Sequence, residues 1–303
     1  INMILAIDIG GTNVKMGLVD HNGKIHAFSE AAANFDEYKT PILSTVLRQS
    51  KLFIKRAQAR IEGIAVSATG QIDTCTGTVI GGNGSIPNYI GSQIKKTLED
   101  EFSVNAWVLN DANAAVLGEC FAGRARGLQN VLMLTLGTGV GGGLVLNGEI
   151  YKGSRGIAGE LGHFSLYQDG PHCTCGKRGC LEQYASTSAL VRRAQQITGD
   201  NTLTSRAIFA LAESGDTVFV KILHEWIVDI AAGITGLVHI FNPEMVLIGG
   251  GVSAQEELLI QPLRKHVLAG VMPCFAEGLS VERATLGNDA GMIGAVKFYL
   301  DNQ

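Results

Sequence analysis

Short apolar blocks bounded by glycine turns fill the first part of the chain. "ILAIDI" (4–9) and "VKMGLVD" (14–20) read as strands joined by a Gly-Gly-Thr turn, and "HNGK" turns the chain into "IHAF". Residues 36–60 carry helical spacing, "IEGIAVSAT" reads as another buried strand, and "AWVLN" as a strand feeding a helix from about 112 to 121. The pattern then returns. "VLMLTLGTGVGGGLVLNGEI" (131–150) repeats the plan of "ILAIDIGGTNVKMGLVDHNGKI" (4–25): apolar strand, Gly/Thr turn, second strand, Asn-Gly turn. The copies differ in length, so the plan is shared rather than the residues. Such an echo predicts two related α/β domains facing one another. The rest is mostly helical from 187 to 240, then the strand "EMVLIGGG", a helix near 254–269 and a final helix over 289–300.

Composition narrows the function classes. A chain of 303 residues can bury two cores, and 46% hydrophobic with 17% charged residues suits a compact soluble protein. The net charge of −4 and the lack of a Lys/Arg run leave no electrostatic footprint for nucleic acid or for an anionic membrane surface. The uncharged, apolar stretch 130–148 is broken by Gly137, Gly139 and Gly141 to Gly143, which makes a poor membrane helix. No secretion signal is read in "MILAIDIGG". Of the six cysteines, Cys173, Cys175 and Cys180 cluster while Cys75, Cys120 and Cys274 scatter. A cytoplasmic protein with a clustered metal site is the reading that follows.

Three stretches carry candidate chemistry. "DIGGT" (8–12) sets a carboxylate at a strand end before glycines whose bare backbone can approach phosphate oxygens, although Gly-Gly also makes ordinary hairpin turns. "LGTGVGGG" repeats that turn, and neither stretch is a Walker loop. "LNDANAA" (109–115) places Asn110 and Asp111 where a strand passes into a helix, so that Asp111 could simply cap it. The spacing C-x-C-x4-C with His163 ten residues upstream suits a closed, structural zinc site, with His172 competing as the fourth ligand by proximity.

Together "DIGGTNVKMGLV", "NDANAA", "LGTGVGGGLVLNG", "GELGH", "CTCGKRGCLE" and "IGGGVS" resemble, in order and over nearly the whole chain, the repressor, open reading frame, kinase (ROK) family of sugar kinases. The resemblance implies a duplicated actin-like and hexokinase-like two-domain α/β fold with the active site in the interdomain cleft. The N-terminal domain would take residues 1–122 plus about 290–303, and the C-terminal domain 123–289. It also implies an ATP- and Mg²⁺-dependent kinase acting on the 6-hydroxyl of a hexose-type sugar, with dimerisation as the family's habit. Asp8, Gly10, Gly11, Thr12 and Lys15 would form the first phosphate loop, with Asp8 holding Mg²⁺ through water. Gly137, Thr138 and Gly139 would form the second, and Gly249, Gly250 and Gly251 would border the nucleotide's ribose and adenine. Asp111 would be the catalytic base. Gly70, Asn83, Asn110, Asp111, Glu160, His163 and Glu182 would meet the sugar. Zn²⁺ would be held by His163, Cys173, Cys175 and Cys180, with the other nitrogen of His163 turned to the sugar.

Two rivals stay in view: a catalytically silent sugar-sensing regulator of the same family, and a phosphatase or ATPase on the same fold. The family's repressor members carry an added helix-turn-helix, which is not expected here because the chain opens on its first strand. Two departures touch the substrate. "TGQID" (69–73) has Thr69 where many glucose-type members have Pro, and "GNGSIPNYIG" (82–91) replaces the usual N-L-P-G-W. Asn83 could supply the expected Asn, although Ser85 fits the spacing to Pro87 better. The small residues Gly82, Gly84 and Ser85, with Tyr89 in place of the usual Trp, suggest room for an N-acetyl group, as in N-acetylmannosamine, or for a β-glucoside such as cellobiose, with Tyr89 stacking on a second ring. Glucose itself remains an alternative.

Overall fold

The computed structural model describes residues 3–34, 36–82, 84 and 86–303. Asn83 and Ser85 therefore lie outside the described residues. The chain divides into two compact units, one of residues 1–127, 150–159 and 288–303, the other of residues 128–149 and 160–287. Residues 150–159 thus join the first unit, not the second domain to which the sequence division assigned them. Among the described residues no helix is long and apolar enough to cross a membrane.

The first unit is built on a five-stranded sheet in the order β3-β2-β1-β4-β7. Its strands are β1 (Met3–Ile9), β2 (Asn13–Val19), β3 (Ile25–Ala32), β4 (Ile61–Ala68) and β7 (Ala106–Asn110), and a hairpin of β5 (Gln71–Asp73) and β6 (Thr78–Gly81) stands apart. β1 pairs antiparallel with β2 and parallel with β4, which pairs parallel with β7. Strand alternation divides β1 between two cores. Leu5, Ile7 and Ile9 pack with Phe53 and Leu98, while Ile4 and Ala6 pack with Met292, Val296 and Tyr299. Phe53 belongs to α1 (Ile42–Ala57), Leu98 to α2 (Ile94–Phe102), and the last three to the C-terminal helix, Ala290–Asn302. That helix lies close against α3 (Asp111–Ala122), because Cβ atoms at Gly118 and Gly294 would meet the carbonyls of Ala290 and Ala114 at 2.3 and 1.7 Å. α1 starts later than the expected residue 36. Asp36 ties down Thr40 N and Oγ1, and Pro41 disfavours helical backbone at Thr40.

The second unit repeats the plan in a sheet of order β10-β9-β8-β11-β12. Here β8 (Val131–Leu136) pairs antiparallel with β9 (Val140–Leu146) and parallel with β11 (Met245–Gly249), which pairs parallel with β12 (Ser280–Arg283); β10 is Glu149–Ile150. In each sheet a hairpin supplies the central strand and parallel strands follow it, so the internal echo of the sequence is a repeat of topology. Leu132, Leu134 and Leu136 of β8 share a core with Trp226, Ile230 and Ile234. The helices of this unit include α4 (Glu182–Ala185), α5 (Thr187–Thr198), α6 (Ser205–Glu213), α7 (Thr217–Phe241) and α8 (Gln261–Gly270). This is the actin-like, hexokinase-like two-domain α/β fold that the resemblance implied.

Candidate active site

In the first unit the parallel strands deliver their polar residues to one sheet edge. Register pairs Asp8 with Ser67 and Ala68 with Asn110, so β1, β4 and β7 end together, where open α/β sheets bind ligands. Ser67 Oγ donates to Asp8 Oδ1 at 2.7 Å, and Lys15 Nζ lies 3.6 Å from Asp8 Oδ2. Ser67 was not anticipated, since a lone serine inside "IEGIAVSAT" looks like any small core residue. Gly291 was missed for the same reason. A Cβ there would fall 2.8 Å from Ser67 Oγ and 3.2 Å from Asp8 Oδ1, so only glycine lets the C-terminal helix start against this pair. In the loop, Gly10 N donates to Asn13 O at 3.0 Å and Thr12 O accepts from Ala33 N. Neither Gly10 nor Gly11 has positive φ. What they supply is bare backbone: a Cβ on Gly11 would stand in open space.

Asn110, not Asp111, caps α3. Its Oδ1 accepts from Ala112 N and Asn113 N at 3.0 and 3.1 Å. Its Nδ2 donates to Gly70 O at 2.9 Å and to Asp111 Oδ1 at 3.0 Å. Asp111 opens the helix, and its Oδ1 also accepts from Ala112 N at 2.8 Å. Of these four bonds two cap the helix, one ties Asn110 to the Gly70 turn and one holds Asp111. Gly70 has φ +92°, and a Cβ there would fall 2.8 Å from Gly81 O, so the carbonyl that receives Asn110 depends on glycine at this turn. Asn110→Ala should cost about 1–2 kcal/mol of stability through loss of the cap, measurable by urea unfolding.

Tyr89 corrects an expectation. It is only 4% exposed and packs with Ile72, Val79 and Ile86, so it offers no platform for a second sugar ring. Its hydroxyl is buried without a hydrogen-bond partner. Burial, with the carboxylates of Asp111 and Asp8 acting on it, pushes its pKa up, and the group stays an O–H donor.

In the second unit the loop after β8 and the turn after β11 adjoin. Gly249 is in register with Thr135, and a Cβ on Gly250, at φ +89°, would fall 2.1 Å from Leu136 O. Gly137 N donates to Gly139 O at 3.0 Å, and a Cβ on Gly251 would meet nothing. The helix expected near 254–269 follows this turn at a short distance. Ser253 N and Oγ both return to Gly250 O, and helical backbone begins only at Glu256. Glu182, expected at the sugar, accepts from Val140 N at 3.1 Å through Oε2.

His163, Cys173, Cys175 and Cys180 bring their donor atoms within 4.8 Å of one another. Cys173 Sγ is 3.5 Å from His163 Nδ1, and Cys175 Sγ is 3.6 Å from Cys180 Sγ. A zinc tetrahedron with metal–sulfur bonds of about 2.3 Å has edges of about 3.8 Å, so the donor set fits the ion. The sulfurs are too far apart for a disulfide. His172 turns away, its Nε2 bonded to Arg178 at 2.8 Å. The loop shapes itself: Cys173 N donates to Lys177 O, Gly176 N to Cys173 O, and Gly179, at φ +71°, has no room for a Cβ against Tyr167 O. Burial pushes the Cys180 thiol up to about 12, while the Lys177 amide lowers that of Cys175. On the far side of the ring, His163 Nε2 lies 4.0 Å from Glu160 Oε2, with the Glu160 side chain nearly half exposed.

The model of the ROK family matches residues 4–302. This chain belongs to the ROK family. Among its relatives, a glucokinase of Halalkalibacterium halodurans is 33% identical over 96% of this chain and 92% of that protein. A beta-glucoside kinase of Listeria innocua is 32% identical over 99% and 98%. A solved ROK family glucokinase from Streptomyces griseus, in complex with glucose and AMPPNP, superposes with a TM-score of 0.81 at 31% identity, over 98% of this chain and 99% of that one.

Proposed function

We propose that this ROK family enzyme, a sugar kinase, transfers the terminal phosphoryl group of ATP to the 6-hydroxyl of a hexose-type sugar in the cytoplasm, with Asp111 as base. The observation that carries the reading is the fixed carboxylate of Asp111, which opens α3 where β7 ends level with β4 and β1, and whose Oδ1 accepts from Asn110 Nδ2 and Ala112 N. A sugar hydroxyl is too weak an acid to be ionised beforehand. Asp111 orients it and takes its proton late, as the bond from sugar oxygen to phosphorus forms and the bond to the ADP oxygen breaks, ADP leaving with the electron pair. Lys15 and the amides of the two glycine loops meet phosphate charge. Mg²⁺ supplies further charge neutralisation, and Asp8 is the carboxylate that would hold it. Zn²⁺ would sit among His163, Cys173, Cys175 and Cys180, whose four donors leave no open position for an activated water, and would supply order only. Glu160, His163 and Glu182 then present hydrogen-bonding groups to the ring.

The same reading extends to a substituted sugar: Gly82 and Gly84 are exposed and put no side chain into the loop beside Gly70, which leaves that loop open to an N-acetyl group or a C1 aglycone. The test is ADP formation with glucose, mannose, N-acetylmannosamine, N-acetylglucosamine and cellobiose, compared by kcat/KM. At least one substituted sugar should match or exceed glucose. A clear preference for glucose over all of them makes this a glucokinase. No sugar-dependent ADP would point to the silent regulator, and phosphate release without sugar to an ATPase.

A further inference from the structure

The segment that follows the cysteine loop grips the second phosphate loop at both ends. Gly137 O accepts from Thr187 N and from Thr187 Oγ1, each at 2.8 Å. Three residues on, Val140 N donates to Glu182 Oε2. The same oxygen would lie 2.5 Å from a Cβ at Gly139, so the carboxylate rests directly on the loop. The other oxygen of Glu182 is 3.7 Å from Cys173 Sγ, and Glu182 follows Cys180 by two residues. The grip is anchored from behind. Trp226 Nε1, on a fully buried side chain, donates to Ser186 O at 3.2 Å, and Ser186 Oγ caps α5 through Ala189 N.

We infer that Glu182 and Thr187 are positioning residues for the nucleotide phosphates, and that residues 180–187 carry the order of the metal loop to the second phosphate loop. The turn "GTG" (137–139) between β8 and β9 is rich in glycine and so intrinsically flexible, and amides aimed at phosphate work only if their direction is set before the ligand arrives. Thr187 fixes the loop's first carbonyl and Glu182 its last amide, so the glycines between are held from both sides. The inference rests on the kinase and metal readings, but the contact of Thr187 with Gly137 needs no metal.

The decisive variants are Thr187→Val, which removes the hydroxyl at nearly constant shape, and Thr187→Ser, which keeps it. Equilibrium binding of a non-hydrolysable ATP analogue with Mg²⁺, and separately of sugar, is measured by calorimetry alongside unfolding midpoints. Thr187→Val should weaken nucleotide binding about threefold to tenfold and leave sugar affinity within about twofold, while Thr187→Ser stays near wild type. Unchanged nucleotide affinity in Thr187→Val overturns the inference, as does a parallel loss of sugar and nucleotide affinity. In a second arm, chelator-stripped wild type that remains folded should also bind the nucleotide more weakly; undiminished binding removes the transmission from the metal loop. Protein purified without metal would refute the metal reading, and with it that transmission, while the Thr187 variants still decide the grip. A wild type that binds no nucleotide at all defeats the kinase reading and the inference together.

Discussion

Asp111→Asn is expected to lower kcat by about 10²–10⁴-fold while leaving the fold and sugar affinity nearly unchanged. The structure explains why the swap is clean. Asp111 Oδ1 accepts from Asn110 Nδ2 and Ala112 N, and an amide oxygen can accept both bonds in the same place. The cap of α3 belongs to Asn110 and is untouched. What disappears is the capacity to receive a proton as the phosphoryl group moves. Steady-state kinetics with the preferred sugar, beside calorimetry of sugar binding and an unfolding curve, separate these effects. A variant that keeps most of its turnover would reduce Asp111 to a structural residue. The contrast with Asn110→Ala is useful, because that variant should lose stability first and turnover only as Asp111 loses its partner.

The sequence displayed the repeated strand–turn–strand plan because glycine turns and apolar blocks are local features, and both sheets carry it. It also displayed the donor set of the cysteine loop, since ligand spacing within a short loop survives folding. Partnerships across the sheet were not legible. Ser67 reaches Asp8 through the register of β1 and β4, and Gly291 reaches both from the far end of the chain. Neither residue has a sequence signature. Asn110 and Asp111 could be named as a pair, but their division of labour depends on hydrogen-bond geometry at the start of α3, and the amide proved the better cap. The small hairpin of β5 and β6 and the burial of Tyr89 were missed for a related reason. A Tyr in a Gly/Pro-rich loop looks exposed until Ile72, Val79 and Ile86 are found around it.

Removing the metal should weaken sugar binding roughly tenfold to a hundredfold without unfolding the protein. The argument runs through His163. Its Nδ1 faces Cys173 Sγ, and its Nε2 faces Glu160 on the opposite side of the ring. A cation on Nδ1 fixes the ring's orientation and leaves the proton on Nε2, where it can be donated to a sugar hydroxyl. Without the cation the ring is free to change tautomer and to turn, and Glu160 loses a fixed neighbour. Cys175→Ser is the gentlest way to test this, because Cys175 is exposed and the hydrogen bonds that shape the loop run through the backbone of Cys173, Gly176 and Lys177. Metal analysis should find about one zinc per wild-type chain and almost none in the variant. Circular dichroism should show the helices and sheets intact, since the three cores described above take no residue from 173–180, while calorimetry registers the lost sugar affinity. Metal-free, folded protein that binds sugar as tightly as wild type would mean that the loop holds its shape through its own turns, and that zinc does not organise the sugar contacts.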